Sequence, residues 1–331
     1  MSEKRDAKNR RQPIGADENL TFPAESLSPK TKGRYGSQNI LVLVCQVLGW
    51  MLVVNLIETS SFWPLKLVLV LLFCALMQGV FSLMHEFFHD NAHPNPRVNY
   101  FIGFFGSLLF GTAATFHRVN HWGHHVRNRT PAEQGEFIHE DESALGKIAI
   151  YYFAILGGLW LSGVVFPIVS FLVPYRAITY LSSFRRFNTY SAAFAQFKAA
   201  DWTRMRLEAL ALIIFWGSLI YFGPFRWQTL LLCYGSFAFT WSSLQWVYHL
   251  NTPLHVVEGA YNLRAPIIVR WLFLNFNYNL THHRRPYLPW QELPMATNVQ
   301  ETQPLWYRWL LLLKPPIRFP EDLSYLEKRY F

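Results

Sequence analysis

Charged residues are scarce in this chain of 331 residues, and that scarcity excludes an ordinary soluble domain. Only 15% of the residues are charged and 51% are hydrophobic, whereas a soluble domain is about a quarter charged. Several apolar runs approach the roughly 20 residues that a helix needs to cross a bilayer. The runs are 39–57, 65–84, 148–173, 207–222 and 228–248. The fold class that we predict is an all-α integral membrane helical bundle.

Cysteine is also scarce, since the chain has only Cys45, Cys74 and Cys233, and no two of them stand at C-x-x-C spacing. This pattern excludes a disulfide framework and a thiolate zinc site. Residues 1–37 lack the apolar core of a signal peptide. They carry eight Lys and Arg residues, so we interpret 1–37 as a disordered tail on the cytosolic side.

The distribution of basic residues predicts the path of the chain through the bilayer. A full crossing by 148–173 would place the basic segment 174–206 outside and separate the later histidines from the earlier ones. We therefore expect 148–173 to enter and return, with a break near Gly157-Gly158. The shorter stretch 98–116 either dips in and returns or lies in the interface. The prediction is a multi-pass protein with about four spanning helices plus re-entrant or interfacial helices.

The formal net charge of +9 is typical of a protein that keeps its basic loops inside and contacts anionic lipid headgroups. An acidic partner protein is the less favoured interpretation. We expect no nucleic-acid partner.

Twelve histidines are present, and most fall in clusters. His85, Glu86 and His89 form an HExxH string, which in zinc peptidases supplies two ligands and a base. A peptidase would leave the other clusters without a role, so it remains a minor alternative. The clustered histidines are His85, His89 and His93; His117, His121, His124 and His125; His249; and His282 and His283.

The histidine spacing favours two metal ions. Histidines four residues apart on a helix point to the same side, and an HxxHH string can reach two neighbouring ions. Because a zinc site saturates at about four ligands, so many imidazoles exceed the needs of one ion. A lone buried histidine, a haem-ligating pair and a metal transporter or sensor are alternatives. A transporter would place its ligands along the midplane, whereas these histidines lie at helix ends.

From about residue 60 to 295 the chain resembles the membrane fatty-acid desaturase superfamily, whose members are integral di-iron enzymes with three histidine boxes on the cytosolic face. In this chain His85–His89 resembles the first box, His121–His125 the second box and Asn279–His283 the third box. An additional family ligand matches His249. The ligands that the resemblance implies are His85, His89, His121, His124, His125, His249, His282 and His283.

The resemblance implies a catalytic domain at 38–295 with a cytosolic di-metal cap, followed by a cytosolic or interfacial segment at 296–331. Its cofactors would be two non-haem irons, with O2 as oxidant and an external electron donor of the ferredoxin or cytochrome b5 type. The substrate would be a fatty acid or fatty acyl chain. Desaturation is favoured. Decarboxylation of free fatty acids to terminal alkenes, and hydroxylation of acyl chains, alkanes or carotenoids, are the alternatives.

The chain departs from the family pattern where box three begins, because Asn279 replaces the usual His or Gln. His93 or His117 is then a candidate to complete the coordination. Gln245 is a candidate for a contact through water, since an amide four residues before the extra histidine has that role in some relatives. Glu86 is a candidate partner that fixes an imidazole tautomer.

Arginines flank the boxes, and guanidinium binds carboxylate and phosphate in a forked geometry. They would hold a substrate carboxylate or headgroup, or else face lipid headgroups. A carboxylate held near iron would favour decarboxylation. Our hypothesis is that Arg284 or Arg285 contacts the carboxylate of the substrate. The flanking residues are Arg118, Arg127, Arg129, Arg284 and Arg285.

Overall fold

The computed structural model describes residues 29–182, 196–298 and 304–327. The longer helices are α1 (Pro29–Thr59), α2 (Trp63–Phe88), α3 (Pro96–Phe110), α4 (Ala114–Arg127), α5 (Ala144–Phe153), α6 (Leu159–Val169), α7 (Tyr175–Ser182), α8 (Ala199–Phe222) and α9 (Trp227–Val247). The shorter helices are α10 (Ile267–Leu272), α11 (Asn279–Arg284), α12 (Leu293–Ala296), α13 (Leu305–Leu311) and α14 (Ser324–Glu327). A 3-10 turn at Pro131–Glu133 and a π-helical turn at Ala154–Gly158 complete the helical elements of the described residues.

Four helices among the described residues are long and apolar enough to cross a membrane: Thr31–Thr59, Trp63–Phe88, Ala144–Val169 and Ala199–Phe222. In α2 67% of the apolar part is buried inside the protein, against 28% or less in the other three. Helix α2 is therefore the centre of the bundle. The outer faces of α1 and α8 expose large apolar side chains, among them Leu52 and Phe222, as a lipid-facing surface requires.

Helix α9 forms where the sequence predicted it but is not among the four candidate spans. Two of its serines accept hydrogen bonds from other parts of the protein. Ser242 Oγ accepts a hydrogen bond from the amide of Trp160 (3.0 Å), and Ser243 Oγ accepts one from Trp309 Nε1 (2.8 Å). Protein contacts on several sides thus permit a less apolar composition.

Two helical hairpins, α1–α2 and α8–α9, have their turns side by side. Arg226 Nε and Glu58 Oε1 are 3.0 Å apart across those turns. The opposite end of the bundle holds the beginning of α1 and the end of α2. There Asn39 donates to the carbonyl of Ala92 (2.9 Å). The runs 207–222 and 228–248 are therefore the two arms of one hairpin.

The stretch 98–116, predicted either to dip in and return or to lie in the interface, contains most of α3 and the beginning of α4. The two helices meet at an angle of 102°. Asn95 caps α3 by accepting from the amide of Arg97 (2.9 Å), and Gly111 ends it with a φ of 85°. A Cβ on Gly103 would lie 2.2 Å from the ring of Phe87, so glycine lets α3 pack directly against α2.

The segment 144–169 is kinked where the sequence predicted a break, because Gly157 has a φ of 126° within the π-helical turn. Its first part contacts α13 through the hydroxyl of Tyr151 and the carbonyl of Leu312 (2.8 Å). Just beyond α6, the carbonyl of Ser170 accepts from Arg206 Nε in the first half of α8 (2.7 Å). The break is therefore confirmed, and the re-entrant path stays a prediction. Residues 183–195, part of the basic segment used in that prediction, lie outside the described residues.

The two end segments lie only partly within the described residues. Helix α1 already begins at Pro29, so assigning residues 29–37 to a disordered tail was wrong; residues 1–28 lie outside the described residues. In the segment 296–331, residues 299–303 and 328–331 also lie outside them. Strands β1 (Phe137–Ile138) and β2 (Ile317–Arg318) pair in parallel and attach this segment to the loop after α4.

Candidate metal centre

The first histidine group lies where the end of α2 meets α4 and α11. One ring nitrogen from each member lies within 4.8 Å of all the others. His89 Nε2 and His121 Nε2 are 2.7 Å apart, and the ring centroids of His85 and His282 are 4.3 Å apart. The group comprises His85, His89, His121 and His282.

The second group joins α4 to the end of α9 and to α11. It comprises His124, His249 and His283, again with one nitrogen from each within 4.8 Å of the others. The ring centroids of His124 and His249 are 4.7 Å apart, and those of His124 and His283 are 5.1 Å apart. His124 is half-buried, whereas the other two are buried.

His125 lies between the two groups. Its Nε2 is 3.0 Å from Nε2 of His282 and 3.1 Å from Nε2 of His121, both in the first group. Its ring centroid is 4.6 Å from that of His283 in the second group. The side chain is fully buried. The structure thus brings together all eight histidines that the resemblance implied.

Several of these imidazoles have the neutral state or the unpaired nitrogens that metal binding requires. Burial holds the pKa of His282 and His283 well below the usual value, and neighbouring histidines lower it further. They are therefore neutral at pH 7, as a metal ligand must be. Among the described residues, His85 Nε2 and both ring nitrogens of His283 are buried without a hydrogen-bond partner. Such unpaired buried nitrogens are costly unless a ligand satisfies them, so the donor set fits metal ions.

Glu133 orients His124. Its Oε2 lies 2.6 Å from His124 Nδ1, and its Oε1 accepts from Arg127 Nε at 3.1 Å. Burial by itself would raise the pKa of Glu133, but His124 and Arg127 outweigh that effect and lower it. The ionised carboxylate can only accept, so Nδ1 of His124 carries the proton. Nε2 is left for the second group.

A backbone carbonyl orients His249. Its Nδ1 lies 2.8 Å from the carbonyl oxygen of Gly259, which can only accept, so Nε2 faces the second group. Asn128 Nδ2 holds the same carbonyl from the other side (3.1 Å). A Cβ on Gly259 would lie 2.2 Å from Arg129 Cγ and 2.5 Å from the carbonyl of His255. The close approach therefore requires glycine.

A small cavity adjoins the first group. Its lining combines two imidazoles, apolar side chains, and the side chains of Glu86 and Asn279. Glu86 Oε2 accepts from the amide of Trp290 (3.3 Å), and Trp290 Nε1 donates to Asn39 in α1 (2.9 Å). Asn279 Oδ1 is buried and has no partner among the described residues. The lining residues are Ser82, His85, Glu86, Leu274, Phe276, Asn279, His282, Trp290 and Leu293.

Three further candidates lie outside the two groups. His93 packs against Gly36 of α1, and its Nδ1 accepts from the amide of Asn95 (3.0 Å). His117 is buried among aromatic rings, with centroids 5.2 Å from Phe110 and 5.8 Å from Trp241. Gln245 donates to the carbonyl of its own helix at Trp241 (3.3 Å). The expectation that His93 or His117 completes a metal site therefore receives no support from their positions.

Most of the flanking arginines are already paired with carboxylates of the chain itself. Arg118 binds Asp90 (2.7 Å), Arg127 binds Glu133 and the fully buried Arg129 binds Glu136 (2.7 Å). Arg284 makes a forked pair with Glu258, at 2.8 and 2.5 Å. Arg285 is exposed. Four of the five guanidiniums thus already have a carboxylate partner within the chain.

Sequence reasoning missed Glu133, Gly259 and Trp290. Glu133 follows α4 in a loop, and Gly259 contributes only a carbonyl, so no motif spacing marks either one. Trp290 stands seven residues after His283 in a Pro-rich stretch. Only a glutamate in a loop close behind the second box could have served as a signal, and it would have been a weak one.

A comparison with protein families finds one described as Fatty acid desaturase, whose model matches residues 61–311. The match includes the seven histidines of the two groups and also His125. A comparison with curated proteins finds no match.

Proposed function

We propose that this chain catalyses an O2-dependent desaturation. The chain belongs to the fatty acid desaturase family, since the family match covers well over half of its length. Membership makes it a desaturase-like oxidoreductase with a fatty acid substrate. The observation that carries the proposal further is the pair of adjoining buried histidine groups, connected by His125. One histidine group alone would suit a single ion, whereas two adjoining groups with His125 between them suit a di-iron centre.

Each group has a clear set of donors for one iron. His85, His89, His121 and His282 would hold one ion, and His124, His249 and His283 the other, with His125 able to serve either. When bound, the two irons would supply the reduction of O2 and the removal of hydrogen from an unactivated C–H bond. The chain contributes neutral imidazoles, fixes their tautomers through Glu133 and Gly259, and excludes water by burial.

The ion pairs of the arginines favour desaturation over decarboxylation. Decarboxylation would need a free carboxylate held near iron, and Arg284 is the guanidinium nearest in sequence to the third box. Its forked pair with Glu258 already uses the geometry that a fatty acid would need. Arg118 and Arg127 are each paired with a carboxylate of the chain as well. A desaturase acting on an esterified or carrier-bound chain needs no such clamp.

The cavity beside the first group is where we place the reacting part of the acyl chain. Leu274, Phe276, Trp290 and Leu293 provide an apolar wall opposite His85 and His282. Hydrocarbon would make only dispersion contacts with that wall. The position of the reacting C–H bond would then follow from how far the chain extends past Trp290.

The catalytic face lies on the cytosolic side in this proposal. The beginning of α1 contacts the segment after box three through Tyr35 and Glu292 and through Asn39 and Trp290. The histidines therefore lie at the end of the bundle where α1 begins. The first turns of α1 carry Lys30, Lys32 and Arg34, and basic residues favour the cytosol. An electron donor of the ferredoxin or cytochrome b5 type would approach there.

The zinc-peptidase alternative has no support from these positions. His85 and His89 share their group with two other imidazoles, so a zinc ion there would have four protein ligands and no open position for catalysis. The second group would have no role.

The product analysis that tests the proposal uses iron-loaded, detergent-solubilised protein with a ferredoxin–reductase pair and air. Saturated substrates would be offered as the free acid and as the CoA, carrier-protein and phospholipid ester. Gas chromatography–mass spectrometry of extract and headspace should show an unsaturated chain of unchanged carbon number. A terminal alkene one carbon shorter would instead establish decarboxylation, and an alcohol would establish hydroxylation. Iron-free protein is the control.

A further inference from the structure

Helix α4, which carries the second histidine box, begins without a cap of its own. The N-cap position is Ala113, whose side chain cannot accept a hydrogen bond. The first four amides of any helix lack partners within that helix, and a polar N-cap side chain normally satisfies one of them. At a sharp bend inside a membrane bundle, water is a poor substitute for such an acceptor side chain. Another part of the chain must therefore supply the acceptor.

Glu208 of α8 supplies it. Its Oε2 accepts from the amide of Thr115, the second residue of α4, at 2.8 Å. Its Oε1 accepts from the hydroxyl of the same Thr115, also at 2.8 Å. The negative charge lies at the positive end of the helix dipole, which stabilises both the carboxylate and the helix.

The same carboxylate also holds α3. The hydroxyl of Tyr100 donates to Glu208 Oε1 at 2.9 Å. Because Tyr100 lies in α3 and Thr115 in α4, Glu208 connects both arms of the 102° bend to α8. Arg204, one turn earlier in α8, lies over the ring of Tyr100 at 5.8 Å.

Glu208 is buried within a membrane span and therefore does not serve as a solvated surface charge. It lies within the candidate span Ala199–Phe222 and is only 2% exposed. An ionisable residue in such a segment is expensive, and it faces the protein interior with a defined partner when it has a function. The three hydrogen bonds offset the cost of burying Glu208, and all of them lead to the bend before box two.

We propose that Glu208 is a positioning residue for the second histidine box: it caps α4 from the neighbouring helix and sets the axial position and rotation of His121, His124 and His125. The inference goes beyond the proposed function, because it concerns the binding of metal rather than the reaction. Since α4 provides ligands to both groups, Glu208 should affect both metal ions. Glu133, which contacts only His124 within the groups, should affect one.

The experiment measures Co²⁺ binding by the full-length apoprotein, with the visible ligand-field spectrum as readout. In Glu208→Gln one acceptor oxygen becomes an NH2 group that faces donors, so we expect both Co²⁺ ions to bind about tenfold or more weakly, with altered spectra. Glu208→Asp should restore part of the binding. Tyr100→Phe removes a donor from α3 without touching α4 and should change Co²⁺ binding far less.

The outcomes separate positioning from general stabilisation. If Glu208→Gln lowers the melting temperature while Co²⁺ stoichiometry, affinity and spectrum stay those of the wild type, the proposal is wrong. If it perturbs only one ion, as we expect of Glu133→Gln, the proposal is wrong as well. Should Glu208→Gln fail to fold, Thr115→Val tests the same contact, because it removes the hydroxyl bond and keeps the amide.

Discussion

Nδ1 of His124 and Oε2 of Glu133 lie 2.6 Å apart, and a guanidinium nitrogen of Arg127 contacts the other carboxylate oxygen. Carboxylate, imidazole and guanidinium thus form one chain of hydrogen bonds at the edge of the second histidine group. The arrangement fixes the tautomer of His124 and the orientation of its ring. A metal ion in the second group would depend on both.

Replacing Glu133 by Gln should therefore weaken metal binding in the second group by about 10–100-fold, the usual effect of removing a partner of a ligating histidine. The first group should keep its ion. Iron per chain, measured after dialysis against a weak chelator, checks this. Glu142→Gln is the matched control, because Glu142 pairs with Lys147 (2.8 Å) and contacts neither group. Equal loss of iron in the two variants would contradict the assignment.

Arg284 and Glu258 should behave as a structural pair and leave substrate affinity unchanged. We expect Arg284→Gln, Glu258→Gln and the double variant to lose a similar amount of stability, about 1 kcal/mol or less, since both side chains are only half-buried. KM for the preferred substrate should not change. Denaturation and initial rates measure the two effects. A guanidinium that binds the fatty acid would instead raise KM in Arg284→Gln and lower it in Glu258→Gln.

The histidines should fall into two classes when replaced singly. His85→Ala removes a member of the first group, so we expect a loss of metal affinity above the 10–100-fold typical of outer partners. His93→Gln should retain its metal. His117→Phe should too, because the ring of His117 already lies among aromatic rings. The metal content of each variant, measured by plasma mass spectrometry, distinguishes the two classes. Loss of iron from His93→Gln at unchanged folding would place His93 among the ligands.

Trp290 should influence which carbon atoms react. Trp290→Leu shortens the wall of the cavity beside His85 and His282, so the acyl chain could extend further. We expect the ratio of double-bond positions or the preferred chain length to shift by on the order of 10-fold, the discrimination that one or two methylenes provide in an apolar pocket. Product isomers are resolved by mass spectrometry after derivatisation. Trp306→Leu, at a tryptophan that is 62% exposed, is the control. Identical profiles would remove Trp290 from the substrate site.

Helical architecture could be predicted from the sequence because apolar run length alone determines where a membrane helix forms. All five long runs are helical, and the break at Gly157 appears where paired glycines predicted it. The sequence did not show that α9, with its serines and threonines, would be enclosed by other helices. Nor did it show that α1 begins at Pro29, since the basic composition of the first 37 residues conceals the helix start.

The clustering of the histidines could be predicted, because spacing on a helix fixes which rings share a side and the family resemblance added His249 to the boxes. The roles of the arginines could not, because every partner carboxylate is distant or unpatterned in sequence: Glu258 is 26 residues from Arg284, and Asp90 is 28 from Arg118. The sequence shows that a guanidinium is present. Whether it is already paired depends on how loops meet in space.

By itself, the sequence determined that the chain forms membrane-type helices and that it carries three clusters of histidines at helical spacing, since both are properties of local periodicity. Only the tertiary structure decided how those clusters divide into two groups, that His125 lies between them, and that Glu208 reaches from α8 to cap α4. Those relationships join residues up to 197 positions apart, as between His85 and His282. The packing of whole helices sets such distances, and no local pattern encodes them.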